Sequence, residues 1–190
     1  MKRLLLIGAT VSFYFLCMSV DADNIWIISA TYGVGNKQED VAPQLKNMYV
    51  THGGRFINFT VRSKFLKKTP APGIRKALTM TYKIGNSYRN VTYPDKTRVL
   101  IVPGVRLTDE FSLGKAYYGA KNSWIDVTDY MSKAIKNNEK FIVNNDIFGS
   151  NPCKGVHKKL CIFYSEGKML KYKYIHQKKE FSTDVFNSEK

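Results

Sequence analysis

Basic side chains gather around two loops of this chain, where they could bind negatively charged groups. Around the first loop they are Lys64, Lys67, Lys68, Arg75 and Lys76. Around the second loop they are Lys154, His157, Lys158 and Lys159. A third set alternates with aromatic and aliphatic residues near the C-terminus: Lys168, Leu170, Lys171, Tyr172, Lys173 and Tyr174. Basic residues interleaved with aromatic ones suit a polyanion such as nucleic acid or an anionic glycan.

The overall charge points in the same direction. Lys and Arg number 30 against 15 Asp and Glu, which gives a formal net charge of +15. A chain this basic is expected to adhere to polyanionic surfaces in a salt-dependent way. The alternative is that lysines on edge strands only keep sheets from associating with one another.

No arrangement of residues in the sequence indicates an enzyme. The three histidines, His52, His157 and His176, lack the spacing of a metal site. Gly33 and Gly35 are not followed by the residues that complete a phosphate-binding glycine loop. No motif places a nucleophile beside a base. We therefore expect a non-enzymatic protein that uses no metal and no cofactor.

The sequence repeats itself, and the repeat shows which residues both copies keep. Tyr32-Gly33 and Asp40-Val41 return 86 residues later as Tyr118-Gly119 and Asp126-Val127. Five further residues return 82 residues later; the pairs are Pro70/Pro152, Gly73/Gly155, Lys76/Lys158, Leu78/Leu160 and Tyr82/Tyr164. Such self-similarity is typical of tandem structural units. We predict two domains, residues 23–104 and 105–190.

Hydrophobic patterning predicts the elements that must position these residues. In the first copy the predicted strands are Ile25–Thr31, Phe56–Val61, Lys76–Lys83, Tyr88–Tyr93 and Thr97–Val102. In the second they are Glu110–Tyr117, Phe141–Asn144, Lys158–Tyr164 and Leu170–His176. A short helix follows Asp40 in one copy and spans 128–137 in the other, and Ser63–Gly73 is predicted to be irregular. The fold class is therefore mainly β (α+β), with two tandem antiparallel-sheet domains that each carry one short helix.

The N-terminus predicts export from the cytoplasm. Residues 1–22 have a basic start, an apolar run and small residues before a cleavage point, which is typical of a signal peptide. We expect a secreted or periplasmic protein with no integral membrane segment after cleavage; an uncleaved anchor is the alternative. Because export leads to an oxidising compartment, we expect a disulfide bond between Cys153 and Cys161, with two buried thiols as the alternative. Nothing in the sequence indicates an oligomeric state.

The second copy resembles the rhamnose- or galactose-binding lectin domains first described in sea-urchin eggs. The matching residues are Tyr118-Gly119, Asn145, Phe148-Gly149, Pro152-Cys153, Gly155, Lys158, Leu160 and Tyr164. The first copy keeps Tyr32-Gly33, Pro70, Gly73, Lys76, Leu78 and Tyr82. The chain is also similar to bacterial and fungal domains of unknown function that share the Tyr-Gly, Asp-Val-Thr and Pro-x-Pro-Gly motifs.

The resemblance implies recognition of a carbohydrate or glycoconjugate, with the better site in the second copy. By this resemblance Tyr118 would form an aromatic wall, Gly155 and Lys158 would donate hydrogen bonds, and Asn151 or Ser150 would accept them. Asn145, and Tyr32 and Lys76 in the first copy, complete the ligand-binding set.

Two departures from the family remove any basis for assuming rhamnose or galactose specificity. No carboxylate stands at the loop position of Asn151, and Ala120 replaces the arginine of the first motif. One alternative is a polyanion- or protein-binding module that uses the lysine-rich loops and keeps the lectin motifs for folding. Another is a structural envelope protein.

Overall fold

Residues 24–186 are described by a computed structural model, and the predicted signal peptide lies outside them. Strands account for 44% of the structure and helices for 17%, which confirms the predicted mainly β class. The strands form antiparallel sheets in two groups. Within the described residues no helix is long and apolar enough to cross a membrane.

The first unit consists of a four-stranded sheet, a two-stranded sheet and two helices. In chain order its elements are β1 (Ile25–Val34), β2 (Lys37–Asp40), α1 (Ala42–Thr51), β3 (Ile57–Thr60), α2 (Ser63–Leu66), β4 (Ala77–Ile84), β5 (Ser87–Pro94) and β6 (Arg98–Ile101). The larger sheet has the order β2-β1-β4-β5, and β3 pairs with β6. The helical turn α2 corrects the prediction that the whole segment Ser63–Gly73 is irregular.

The second unit repeats this topology. Its elements are β7 (Ser112–Ala120), β8 (Ser123–Asp126), α3 (Thr128–Lys136), β9 (Phe141–Ile142), β10 (Lys159–Glu166), β11 (Met169–His176) and β12 (Glu180–Phe181), followed by a 3-10 turn (Thr183–Phe186). The larger sheet has the order β8-β7-β10-β11, and β9 pairs with β12. Every strand of the second unit therefore has a counterpart at the same place in the first.

The shared Asp-Val pair starts the longer helix of each unit. In the first unit Oδ1 of Asp40 accepts a hydrogen bond of 2.9 Å from the backbone N–H of Ala42. In the second unit Oδ1 of Asp126 accepts one of 2.9 Å from the N–H of Thr128. Because these first N–H groups have no partner inside the helix, the aspartate satisfies a donor that would otherwise be left open.

Each unit has its own core, and a third cluster of side chains joins the two. Phe56, which precedes β3, inserts its ring against the outer face of the second unit's sheet. Its ring centroid lies 4.7 Å from that of Phe163, 5.6 Å from that of Trp124 and 5.9 Å from that of Tyr117. Beside it, the amide of Asn58 donates a 2.5 Å hydrogen bond to the hydroxyl of Tyr174. The first unit therefore covers one face of the second.

Candidate functional site

The Tyr-Gly motif places its tyrosine in the core. Tyr118 is completely buried, and its hydroxyl donates a 3.0 Å hydrogen bond to Oδ1 of Asn145. Tyr32 is buried in the same way, and its hydroxyl contacts Oδ1 of Asp95 and Oγ of Ser63, each at 3.1 Å. Ser63 stands 82 residues before Asn145, so both units tie the tyrosine to the same position.

These contacts correct the prediction that Tyr118 forms an aromatic wall for a sugar. Alternation along β7 directs this side chain to the core face of the sheet, where a ligand does not reach it. Asn145 likewise uses its side-chain oxygen to hold Tyr118. Burial also raises the pKa of both tyrosines. The motif therefore anchors each sheet to its loop.

The glycine of the motif is required by the close approach of two strands. A Cβ atom on Gly119 would overlap the carbonyl oxygen of Ser123 and lie 2.8 Å from Cα of Trp124. On Gly33 it would overlap the carbonyl oxygen of Lys37 and lie 2.7 Å from Cα of Gln38. In both units this absence of a side chain lets the second strand of the hairpin pack directly against the first.

The remaining predicted residues separate into two groups. Lys158 lines a groove at the edge of the second unit's sheet, and Lys76 lines the corresponding place in the first unit. Asn151 and Gly155 are exposed in the preceding loop and lie outside the lining of that groove. Ligand binding by Asn151 and Gly155 stays a prediction.

The groove of the second unit is basic, and we call it the basic groove. It has a volume of about 460 Å³ and lies between the β7–β8 hairpin, the start of β10 and the end of α1. Its titratable side chains are Lys121, Lys158, Lys159, His52, His157 and His176. Within residues 24–186, no carboxylate lines it. His157 and His176 come together because β10 pairs with β11, and His52 joins them because the first unit packs beside the second.

Lys158 is the most unusual group of the basic groove. Only 3% of the residue is exposed, and its ammonium donates one hydrogen bond of 3.0 Å to the carbonyl of Val156. Among residues 24–186 no carboxylate oxygen lies within 4.0 Å of its Nζ atom. A buried charge without a counter-ion is costly, and such groups in proteins are normally paired.

Lys159 is held in place by aromatic rings. Its Nζ atom lies 4.2 Å from the ring centroid of Tyr174 and 5.8 Å from that of Trp124, which are favourable cation–π distances. The indole N–H of Trp124 donates a 2.6 Å hydrogen bond to the carbonyl of Lys121. Since Trp124 is only 7% exposed, it supports the lysines and offers no open surface for stacking.

His52 brings a neutral ring from the first unit into the groove. It stacks on Phe56 with a centroid separation of 4.4 Å. Burial, and secondarily the positive charge of Lys159, lower the pKa of His52 to about 4. Its Nδ1 atom is buried and has no hydrogen-bond partner within the described part of the chain. The basic groove is thus completed by both units, which sequence reasoning missed.

Cys153 and Cys161 are separate thiols in the structure. Cys161 is buried beside Phe163 and Tyr117 in the cluster that joins the units, and burial raises the pKa of its thiol. Cys153 is half-buried in the loop before β10. The disulfide bond stays a prediction. Across residues 24–186, no group of three or more His, Cys, Asp or Glu side chains is arranged to hold a metal ion.

The fold and the site define a class: a mainly β protein of two tandem units with a basic groove beside their junction. A scan against protein-family models and searches of curated proteins and of solved structures found nothing that matches this chain. The likeness to lectin domains therefore rests on the motifs of the second copy alone.

Proposed function

We propose that this protein is an exported, non-enzymatic binding protein that recognises an anionic group of a glycoconjugate in its basic groove. The observation that carries the proposal is Lys158, a buried ammonium in a groove that no carboxylate of residues 24–186 lines. An anionic ligand group would supply the missing counter-ion. Charge-assisted hydrogen bonds of this kind are about twice as strong as neutral ones.

The neighbouring lysines support an anionic ligand. Lys121 is exposed at the rim, and Lys159 is positioned over Tyr174 before any ligand arrives. A side chain that is already ordered loses less rotamer freedom on binding, so its contribution to affinity is larger. The volume of about 460 Å³ suits one charged sugar residue, since small-ligand sites commonly span about 300–1,000 Å³.

Two other ligand classes suit the groove less well. A neutral sugar is normally held by an open aromatic face and by carboxylates that accept hydrogen bonds from its hydroxyls. Tyr118 is buried, however, and none of the described residues that line the groove is a carboxylate. Single-stranded nucleic acid stacks its bases on exposed aromatic rings, and the ring of Trp124 is covered. The expected export and the lectin-like motifs favour a carbohydrate as the carrier of the charge.

The test is calorimetric titration of the mature protein with sulfated, uronate-containing and neutral oligosaccharides at low and at physiological salt. We expect binding of the charged sugars only, weakened by roughly tenfold or more in Lys158→Met and by smaller factors in Lys121→Gln and Lys159→Gln. Lys133→Gln removes one charge from the exposed face of α3 and serves as the matched control. Equal loss in Lys133→Gln, or equal affinity for neutral sugars, would contradict the proposal.

A further inference from the structure

The basic groove has a counterpart in the first unit, which we call the first-unit groove. This groove has a volume of about 330 Å³. Eight of its lining residues occupy the positions of eight residues of the basic groove; the pairs are Gly33/Gly119, Val34/Ala120, Gly35/Lys121, Gln38/Trp124, Arg75/His157, Lys76/Lys158, Ala77/Lys159 and Pro94/His176. The duplication of the chain has therefore duplicated the groove together with the fold.

The backbone frame of the two grooves is the same. The ammonium of Lys76 donates a 2.7 Å hydrogen bond to the carbonyl of Ile74, as that of Lys158 does to Val156 at 3.0 Å. The carbonyl of Lys76 accepts a 2.9 Å bond from the N–H of Asp95. The carbonyl of Lys158 accepts one of the same length from Gln177. Each lysine is therefore directed into its groove by equivalent contacts.

The side chains around the shared lysine differ in charge. Arg75 replaces His157 and brings a permanent charge on a planar group with a fork of N–H donors, which matches the two oxygens of a carboxylate or sulfate. Asp95 replaces Gln177 and adds one negative charge, although its Oδ1 atom already accepts a hydrogen bond from the hydroxyl of Tyr32. Lys96, beside Asp95 in an adjoining cavity of about 540 Å³, restores the positive balance.

We infer that the first-unit groove is a second site for the same anionic group, so that the protein is bivalent. The inference rests on the proposed function of the basic groove. The first-unit site is the weaker one, because Gly35 and Ala77 stand where the basic groove has Lys121 and Lys159. Lys76 is also less buried than Lys158. A bivalent protein selects a polymer that repeats its anionic group, such as a sulfated or uronate-rich polysaccharide, over a single charged sugar.

The gain from bivalency distinguishes this inference from simple charge attraction. When one anionic group of a polymer is bound and the polymer is long enough to reach the other groove, overall affinity rises by about 10²–10⁴ without any new kind of contact. A single sugar unit binds each groove separately and shows no such gain.

The experiment compares a sulfated glycosaminoglycan disaccharide with a long chain of the same sugars, each titrated into three proteins. For the disaccharide we expect two sites in the unaltered protein, only the tighter one in Arg75→Gln/Lys76→Gln, and only the weaker one in Lys158→Met. For the long chain we expect each variant to lose at least about tenfold in affinity. The control, Lys133→Gln/Lys136→Gln, removes two exposed charges from α3 and should retain both sites.

The two proposals fail in different ways. If Arg75→Gln/Lys76→Gln leaves both the stoichiometry and the affinity for the long chain unchanged, the second site is overturned while the basic groove stands. If Lys158→Met leaves disaccharide binding unchanged, the proposed function itself is overturned. Equal losses in the variants and in the α3 control would contradict both, because net charge alone would then explain binding.

Discussion

Individual residues of the shared motifs divide into those that hold the fold and those that face the groove. Tyr118 and Asn145 contact each other inside the second unit, whereas Lys158 lines its surface groove. Tyr118 and Lys158 are both kept in the first copy, as Tyr32 and Lys76. A residue that both copies keep therefore belongs to their common framework. Whether it stabilises the fold or binds a ligand is decided by the environment of its side chain.

Replacing Tyr118 by Phe tests its structural role. Removal of the hydroxyl leaves Oδ1 of Asn145 without its 3.0 Å partner, so we expect the free energy of unfolding to fall by about 1–2 kcal/mol. Affinity for anionic sugars should be unchanged. Tyr88→Phe, at an exposed site, is the control for stability. A variant with normal stability and weakened sugar binding would restore Tyr118 as a ligand contact.

His52 makes the protein sensitive to acid. Its folded-state pKa of about 4 lies below the ordinary value of 6.5. Between these values the unfolded chain therefore takes up a proton that the folded chain does not. Stability is complete above pH 6.5 and falls as the pH drops towards 4. Allowing for partial exposure of the ring, we expect a loss of about 2 kcal/mol.

Denaturant unfolding at pH 7 and pH 4.5 measures this effect. The difference between the two pH values should shrink in His52→Gln, where no imidazole remains to be protonated. His176→Gln, which removes an exposed histidine of the same groove, should behave like the unaltered protein. An unchanged difference in His52→Gln would show that other groups cause the acid sensitivity.

At the scale of elements, the tight β7–β8 hairpin supports one wall of the basic groove. In Gly119→Ala the added methyl group overlaps the carbonyl oxygen of Ser123, so the two strands must separate. We expect unfolding to require about 3 kcal/mol less, with weaker sugar binding because Lys121 and Trp124 shift. In Gly155→Ala the added methyl group has no atom within 4 Å. Its free energy of unfolding should therefore fall only by the cost of holding alanine at a φ of +75°, about 1 kcal/mol. Equal effects in the two variants would contradict this role of the hairpin.

Most elements could be predicted because their hydrophobic patterns are local. The hairpin of Lys76–Lys83 and Tyr88–Tyr93 is present as β4 and β5, shifted by a residue or less at each end. The short strands β2, β8 and β12 were missed. Lys37–Asp40 is polar and mostly exposed and offers no alternating signal. The turn α2 was missed because its surroundings are rich in proline.

The candidate site was predicted only in part, for a different reason. Lys158 and Lys76 could be found from the repeat and the loop motif. The contribution of His52 could not, because this residue reaches the groove only through the packing of one unit on the other. Whether the Tyr118 side chain points into the core depends on which face of the sheet the core covers. The sequence of one strand rich in apolar residues does not show which face that is.

For the whole molecule, the two units differ in what covers the outer face of their larger sheet. In the second unit this face presents Tyr117, Cys161 and Phe163 to the first unit. The equivalent positions of the first unit are Thr31, Thr79 and Thr81, all only half-buried. The aromatic face needs a partner, whereas the threonine face tolerates water. This difference explains why the two copies have diverged at these positions while their topology has not.

Phe56 is the residue through which the first unit reaches the second. Phe56→Ala should lower the free energy of unfolding by about 3–5 kcal/mol. It should also weaken binding in the basic groove, since His52 stacks on this ring. Phe65→Ala, at a ring that is 45% exposed, is the matched control and should cost much less. Similar losses in the two variants would show that the joining cluster does not stabilise the pair of units.

We infer that Lys158 is retained for a ligand at the expense of stability. Its most direct test is the free energy of unfolding of Lys158→Met and of the unaltered protein, each with and without a saturating sulfated oligosaccharide. Without ligand the variant should be more stable by about 1 kcal/mol or more, because a buried charge without a counter-ion is replaced by an apolar side chain. Adding ligand should stabilise the unaltered protein far more than the variant. A variant that is less stable without ligand, or equally stabilised by it, would contradict the account.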